Sequence, residues 1–355
     1  DQALAIAPGN RFALAIGDTR VSNGVLRPYA PAPEECLHGY FGNRVRVNGA
    51  LDFSASVAPG WVRLQLLNAC NARGLLLAFR DGDDVLPFHL LGSDGGLLAA
   101  PAALERVFMY PAERIDIALD LGARRAVSAV SLPFDARHQA KGGKLAQPHA
   151  AREKFPALAA ASVCAPNDNS ASGGLPDGSA MPLFNLAVAG PPRNAPPMPS
   201  RLSNLSETSA ETNSPARRLR LDFDERTGFL IDQTPYRLEE IAFRIARGTR
   251  EVWEIRNSPL SMPHPMHLHG FGFRVLRRQG TFGPARALAT AGNGRLPTDL
   301  GIKDTVAIWP NETLWLEVDF SLPADAAFAG QQRYMFHCHN LEHEDGMMMR
   351  NFAVT

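Results

Sequence analysis

Two short segments hold most of the coordinating side chains of this sequence. They are Met262-Pro263-His264-Pro265-Met266-His267-Leu268-His269 and His337-Cys338-His339-Asn340-Leu341-Glu342-His343, and they contain six of the ten histidines. One cysteine lies between two histidines. A third histidine follows five residues after it, and the run Met347-Met348-Met349 comes next. Thiolate and thioether favour a soft ion, imidazole suits copper, and two imidazoles with one thiolate and a weak thioether are the donor set of a blue-copper electron-transfer centre. A lone cysteine is usually a small buried residue. The two segments together carry the metal reading.

The elements around them dictate how these donors divide. Arg333-Tyr334-Met335-Phe336-His337-Cys338-His339 reads as the end of a β-strand, where neighbouring side chains point to opposite faces. Cys338 then faces one way, and His337 and His339 the other. The loop that follows is expected to return His343 and Met348 to the Cys338 side. Upstream, His264 joins Cys338, and the His267/His269 pair, two apart, joins the other face. The expected first site is therefore Cys338, His264, His343 and an axial Met348. The second is an all-imidazole cluster of His267, His269, His337 and His339. A covalent path through the Cys338 backbone connects them.

The chain has 355 residues, is 45% hydrophobic, and balances 36 basic against 36 acidic residues. That length allows two or three domains. No basic stripe points to nucleic acid, and no run of about 18 apolar residues points to a membrane-spanning helix. Helical periodicity is scarce. Runs such as Trp61-Val62-Arg63-Leu64-Gln65-Leu66 and Leu314-Trp315-Leu316-Glu317-Val318 alternate as half-buried strands do, between Gly, Pro, Asn and Asp turns. The expectation is an all-β chain of two β-sandwich domains, 1–155 and 216–355, joined by a long Pro/Ala/Ser-rich connection over 156–215 with one strand around Leu183 to Val188. Cys36, Cys70, Cys164 and Cys338 form no CxxC motif, which argues against a zinc knuckle or a thioredoxin-type pair. The cysteines other than Cys338 are expected to be buried free thiols, with one disulfide among them left open. The sequence begins at Asp1 and shows no signal peptide, so its start is expected to be a processed, cleaved or engineered end.

The motif residues resemble the multicopper oxidases, and most closely the bacterial cuprous-oxidase, bilirubin-oxidase and laccase-like branch, through His337-Cys338-His339-Asn340-Leu341-Glu342-His343-Glu344-Asp345. Tyr40-Phe41-Gly42-Asn43, Leu66-Leu67-Asn68-Ala69-Cys70-Asn71-Ala72-Arg73 and Gly92-Ser93-Asp94-Gly95-Gly96 resemble that branch's middle domain. Gly248-Thr249-Arg250 and Lys303-Asp304-Thr305-Val306 resemble its third. The resemblance implies cupredoxin-like Greek-key sandwiches. It makes His264, Cys338, His343 and Met348 type 1 copper ligands, His267 a type 2 ligand, and His269, His337 and His339 type 3 ligands. Glu344 becomes a proton-relay residue. The implied chemistry takes electrons one at a time from a phenol, aromatic amine, bilirubin-like pigment or Cu(I), and reduces dioxygen to water. Electrons are expected to enter at the edge of His343 or His264. Met262, Met266, Met347 and Met349 are either soft sites for incoming Cu(I) or packing. Periplasmic or secreted localisation follows from the family.

The departure from the family pattern is equally specific. A complete trinuclear cluster uses eight histidines, and the remaining ones here, His38, His89, His138 and His149, are isolated. His89 is expected to be a core or strand residue and His38 a turn residue. The first cupredoxin domain is expected to be absent from this sequence, which starts about where the first-to-second domain linker would lie. Either that domain is a separate, docked chain, or the chain is a two-domain remnant that keeps only type 1 copper as an electron-transfer protein. An inert, copper-free fold is the third alternative. Asp304, Asp345 and Glu342 are candidates to orient the imidazoles.

Overall fold

In the computed structural model the described residues are 2–122, 124–136, 173–206, 214–224, 226–259, 261–281, 283–290, 292–321 and 330–355. Alternation in the sequence becomes alternation in burial. Trp61–Asn68 buries every second residue from Val62 onward, because only one face of its sheet meets the core. The first sandwich packs a seven-stranded sheet, in the order Gly96–Leu104, Phe88–Ser93, Arg114–Asp120, Trp61–Asn68, Arg11–Thr19, Arg44–Val47 and Ala50–Leu51, on a second sheet. That second sheet runs Arg106–Met109, Leu75–Asp81, Ala126–Ser131, Met181–Val188 and Ser54–Val57, with Asp84–Leu86 beside Leu75–Asp81.

The second sandwich has two five-stranded sheets. One runs Gly228–Ile231, Arg217–Asp224, Arg250–Asn257, Thr313–Asp319 and Phe273–Gln279. The other runs Phe243–Ile245, Met349–Val354, Gln332–Cys338, His264–Leu268 and Thr305–Ile308. Its core is aromatic: fully buried Trp253 lies edge-on to Phe336 and Phe352 with ring centroids 5.7 and 6.1 Å away. Each such side chain contributes about 1.5–3 kcal/mol by leaving water. Cys338 and Met348 sit in this same cluster.

The described part of the expected 156–215 connection is not a free linker. Met181–Val188 is an internal strand, antiparallel to Ala126–Ser131 and parallel to Ser54–Val57. The tail that follows stays attached, with Trp61 Nε1 donating to the Pro196 carbonyl at 2.8 Å and Leu202 N to Ala99 at 2.8 Å. Pro and Ser obscured this, because the pairing partners lie far away in sequence. His89 is a strand residue edge-on to Trp61, as expected. His38 ends the helix Pro33–His38 rather than sitting in a turn. Cys36 is disulfide-bonded, which overturns the free-thiol expectation for it, while Cys70 and Cys338 are free. Cys164, His138 and His149 lie outside the described residues.

A buried clasp joins the sandwiches. Lys303, fully buried, lies 3.2 Å from both Asp94 and Glu113. Gly95 N donates to the Ile302 carbonyl at 2.8 Å, and a Cβ on Gly95 would come within 2.7 Å of the Ile302 side chain, so the approach requires glycine. Within the first sandwich, Arg73 ties Asp18 at 2.8 Å to the carbonyls of Gly42, Leu175 and Pro176.

Beside Arg73, burial pushes the Asp177 carboxyl from 3.8 up to about 6. The native chain therefore holds a proton there, between those values, that the unfolded chain has released. Stability falls as pH rises through that window, by on the order of 3 kcal/mol once both states are ionised. Asp177→Asn is expected to be more stable than the parent at neutral pH, with the gap closing as pH falls from about 6 to 3.8. Urea midpoints across that range check this, and a constant gap refutes it.

Candidate metal centre

The pairing of His264–Leu268 with Gln332–Cys338 sets the site. Met266 lies opposite Cys338, His267 opposite His337, and Leu268 opposite Phe336. Residues in the Cys338 register turn into the core, where Met266, Leu268, Phe336 and Cys338 are all buried. His267 and His337 turn to the other face. One strand pair thus holds two donor sets back to back.

On the core side the Cys338 Sγ is 3.6 Å from His264 Nδ1 and 3.6 Å from His343 Nδ1, and the two nitrogens are 3.2 Å apart. A triangle of these edges closes around a single first-row ion with bonds of about 2.0–2.3 Å. Local sequence returns His343 here. Asn340 caps the helix Leu341–Asp345 by accepting from His343 N, and Gly346 ends it. Met348 then comes back beside the cysteine: Cys338 N donates to the Met348 carbonyl at 3.0 Å, and Met348 N to the His343 carbonyl at 2.9 Å. Met348 is fully buried in the same cluster.

The outer nitrogen of each core imidazole is hydrogen-bonded. His264 Nε2 bonds Ser261 Oγ at 2.8 Å, and His343 Nε2 bonds the Leu37 carbonyl at 3.1 Å. A carbonyl can only accept, so His343 carries its proton on Nε2 and presents the Nδ1 lone pair to the thiol. Burial holds His264 down at about 3 and His343 well below the usual imidazole range, and it pushes the Cys338 thiol up. These three donors are therefore neutral by themselves, and a cation that binds them must displace the thiol proton.

The second face gathers His267, His269 and His337, with one coordinating atom of each within 4.8 Å of the others. His269 Nε2 and His337 Nε2 are 2.9 Å apart. His339 stands beside them, its ring centroid 5.5 Å from His337 and 5.8 Å from His267. His269 is exposed, and His267 and His339 are half-buried, so this face opens to solvent. His267 Nδ1 lies 3.0 Å from the Asp304 carbonyl, leaving Nε2 for a ligand. His337 Nδ1 lies 3.0 Å from the Cys338 carbonyl and 3.4 Å from the Glu344 carboxylate. Burial would raise the Glu344 carboxyl, but the His337 hydrogen bond and the nearby imidazoles hold it below its ordinary value.

Of the proposed orienting residues, Asp304 reaches a histidine. Its carboxylate takes both Arg114 nitrogens at 2.6 Å, and these overcome its burial and keep it ionised. Glu342 instead accepts from Tyr29 Oη at 2.8 Å and Asn71 Nδ2 at 3.0 Å in the first sandwich. Ser261, Leu37 and Arg114 were not foreseen. Ser261, three residues before His264, was the one with a nearby sequence signal.

Two cupredoxin-like sandwiches with a buried Cys/His triangle and an imidazole cluster across one strand present thiolate and imidazole donors of the kinds that suit copper. A family profile described as "Multicopper oxidase" matches residues 196–355. The chain is 28% identical to bilirubin oxidase of Albifimbria verrucaria, over 90% of its own length and 49% of that protein's. It is 28% identical to a laccase of Bacillus subtilis, over 92% and 57%, and 29% identical to cell division protein FtsP of Xenorhabdus nematophila, over 94% and 59%. The McoA multicopper oxidase of Aquifex aeolicus superposes with a TM-score of 0.73 at 26% identity, covering 100% of this chain and 68% of that one. The family match covers the C-terminal sandwich and the segment before it, residues 196–355, and the full-length likeness to these relatives stays below 30% identity. The chain spans about half to three fifths of these curated relatives.

Loading a thiophilic ion at neutral pH is expected to release about one proton per ion, from Cys338, because both core imidazoles are already neutral. Potentiometric titration measures this. Cys338→Ser should abolish the release, and loading without proton release would contradict the assignment.

Proposed function

We propose that this chain is the electron-accepting part of a copper-dependent oxidase that couples one-electron oxidation of a reducing substrate to reduction of dioxygen to water. The observation that carries this reading is the hydrogen bond at 3.0 Å between His337 Nδ1 and the Cys338 carbonyl, which links the two donor sets through one residue's backbone. Copper, when bound, supplies one-electron exchange at the thiolate site and dioxygen reduction at a trinuclear cluster.

In this reading His264, Cys338, His343 and Met348 hold type 1 copper, His267 a type 2 ion, and His269, His337 and His339 half of a type 3 pair. Glu344 holds and passes protons beside His337. A further cupredoxin domain, carried on a separate polypeptide docked against the open imidazole face, contributes the remaining ligands. The exposure of His269 supports that completion. The names bilirubin oxidase and laccase support an organic donor such as a phenol, aromatic amine or bilirubin-like pigment, with Cu(I) as the inorganic alternative. The disulfide at Cys36 supports a periplasmic or secreted location, since cytosolic thiols are kept reduced. No described helix is long and apolar enough to cross a membrane.

A second reading is a stand-alone blue-copper electron-transfer protein. It is favoured because the thiolate triangle is closed and buried within this chain while the imidazole face is open.

Copper stoichiometry, intact mass and oxygen uptake on one sample separate the two. The oxidase reading expects a blue protein, a second polypeptide, and oxygen consumption with an aromatic amine that Cys338→Ser removes. A blue sample with one copper, one mass and no uptake supports the carrier. A colourless, metal-free sample after copper loading refutes both.

A further inference from the structure

The edges of His264 and His343 are both shut. His343 is fully buried, its Nε2 is stopped by the Leu37 carbonyl at 3.1 Å, and His264 is 3% exposed. Leu37 lies in the helix Pro33–His38, contributed by the other sandwich, so a residue 306 positions away closes the site.

This helix is held on several sides. Glu35 forms a buried two-point ion pair with Arg20, and its Oε2 accepts from Ala32 N at 2.7 Å. Cys36 is 1% exposed and disulfide-bonded. Gly39 has φ +105°, and a Cβ there would overlap that of Ala72 and lie 3.0 Å from Asn340 Nδ2. From the opposite side, Leu341 N donates to the Asn71 carbonyl at 3.0 Å, and Tyr29 and Asn71 hold Glu342. The short helix that carries His343 is thus clamped under its neighbour.

We propose that the helix Pro33–His38 is a cap on the metal centre and a determinant of its donor specificity. The Leu37 carbonyl fixes the His343 ring and its tautomer, and the helix bars bulky aromatic donors from touching the imidazole edge. Arg20 and Glu35 are positioning residues that act through the cap, touching neither metal ligand nor donor. An acceptor on the free N–H of a ligating imidazole raises its basicity. Losing the Leu37 contact therefore also raises the reduction potential of the centre. This inference rests on reading His264, Cys338 and His343 as the metal ligands.

Two measurements separate its failure from failure of that reading. On the metal-free full chain, diethyl pyrocarbonate labelling followed by peptide mass spectrometry should leave His343 unmodified while exposed His269 reacts. Glu35→Gln should speed labelling of His343 by roughly tenfold, because a charge-assisted buried hydrogen bond is lost. On the copper-loaded chain the same variant should raise the potential and speed reduction by a bulky aromatic amine more than reduction by ferrocyanide, which senses the potential alone. Tyr29→Phe, which keeps the ring and removes the bond to Glu342, gives smaller changes in the same directions and serves if Glu35→Gln does not fold. The cap is refuted if His343 of the parent labels as fast as His269. It is equally refuted if a folded variant leaves labelling and potential both unchanged. A chain that binds no copper but shows the expected labelling sinks the metal reading alone.

Discussion

The register between His264–Leu268 and Gln332–Cys338 is the constraint on which the site depends. Because side chains along a strand alternate with period two, pairing Met266 with Cys338 and His267 with His337 sends thiol and imidazole to opposite sides of the same sheet. A slip of one residue would put Cys338 on the solvent side and drive His337 and His339 into an aromatic core that has no partner for them. The burial of Phe336, Leu268 and Met266 on the Cys338 face holds the register, since a slip would expose all three. The fold and the division of the thiol and imidazole donors are thus fixed by the same apolar contacts.

The two sides of the strand have opposite electrostatic characters. The cysteine side is dry, and desolvation keeps both imidazoles and the thiol neutral. A soft cation that shares its charge with a thiolate suits such a pocket better than a hard, strongly hydrated one. The imidazole side is partly wet, and neighbouring rings and Glu344 moderate its charges. The carbonyl of Cys338, in direct hydrogen-bond reach of His337 Nδ1, joins the two environments.

Interdomain contacts orient the candidate donors His267 and His343 as well as holding the sandwiches together. Asp94 accepts Arg114 N at 2.8 Å, Arg114 grips Asp304, and the Asp304 backbone carbonyl orients His267. Lys303 neutralises Asp94 and Glu113 in the same buried clasp, where either carboxylate alone would be costly. On the other flank, Leu37 orients His343. Each sandwich therefore positions groups in the other, although Cys338 and the six clustered imidazoles all belong to the C-terminal one.

By itself the sequence determined the donor types, their spacing and their partition between two faces. Those features depend on strand periodicity and on a loop of nine residues between Cys338 and Met348, both local properties. Alternating apolar residues likewise announced an all-β chain. Tertiary structure alone decided which groups orient the imidazoles, which strands the expected strand at Met181–Val188 pairs with, and that Cys36 is bonded. The reason is physical. Leu37 acts through a backbone carbonyl, which every residue possesses, so its identity carries no sign of its role. Arg114 and Lys303 find their partners only after two sandwiches have packed, across separations of 190 residues or more.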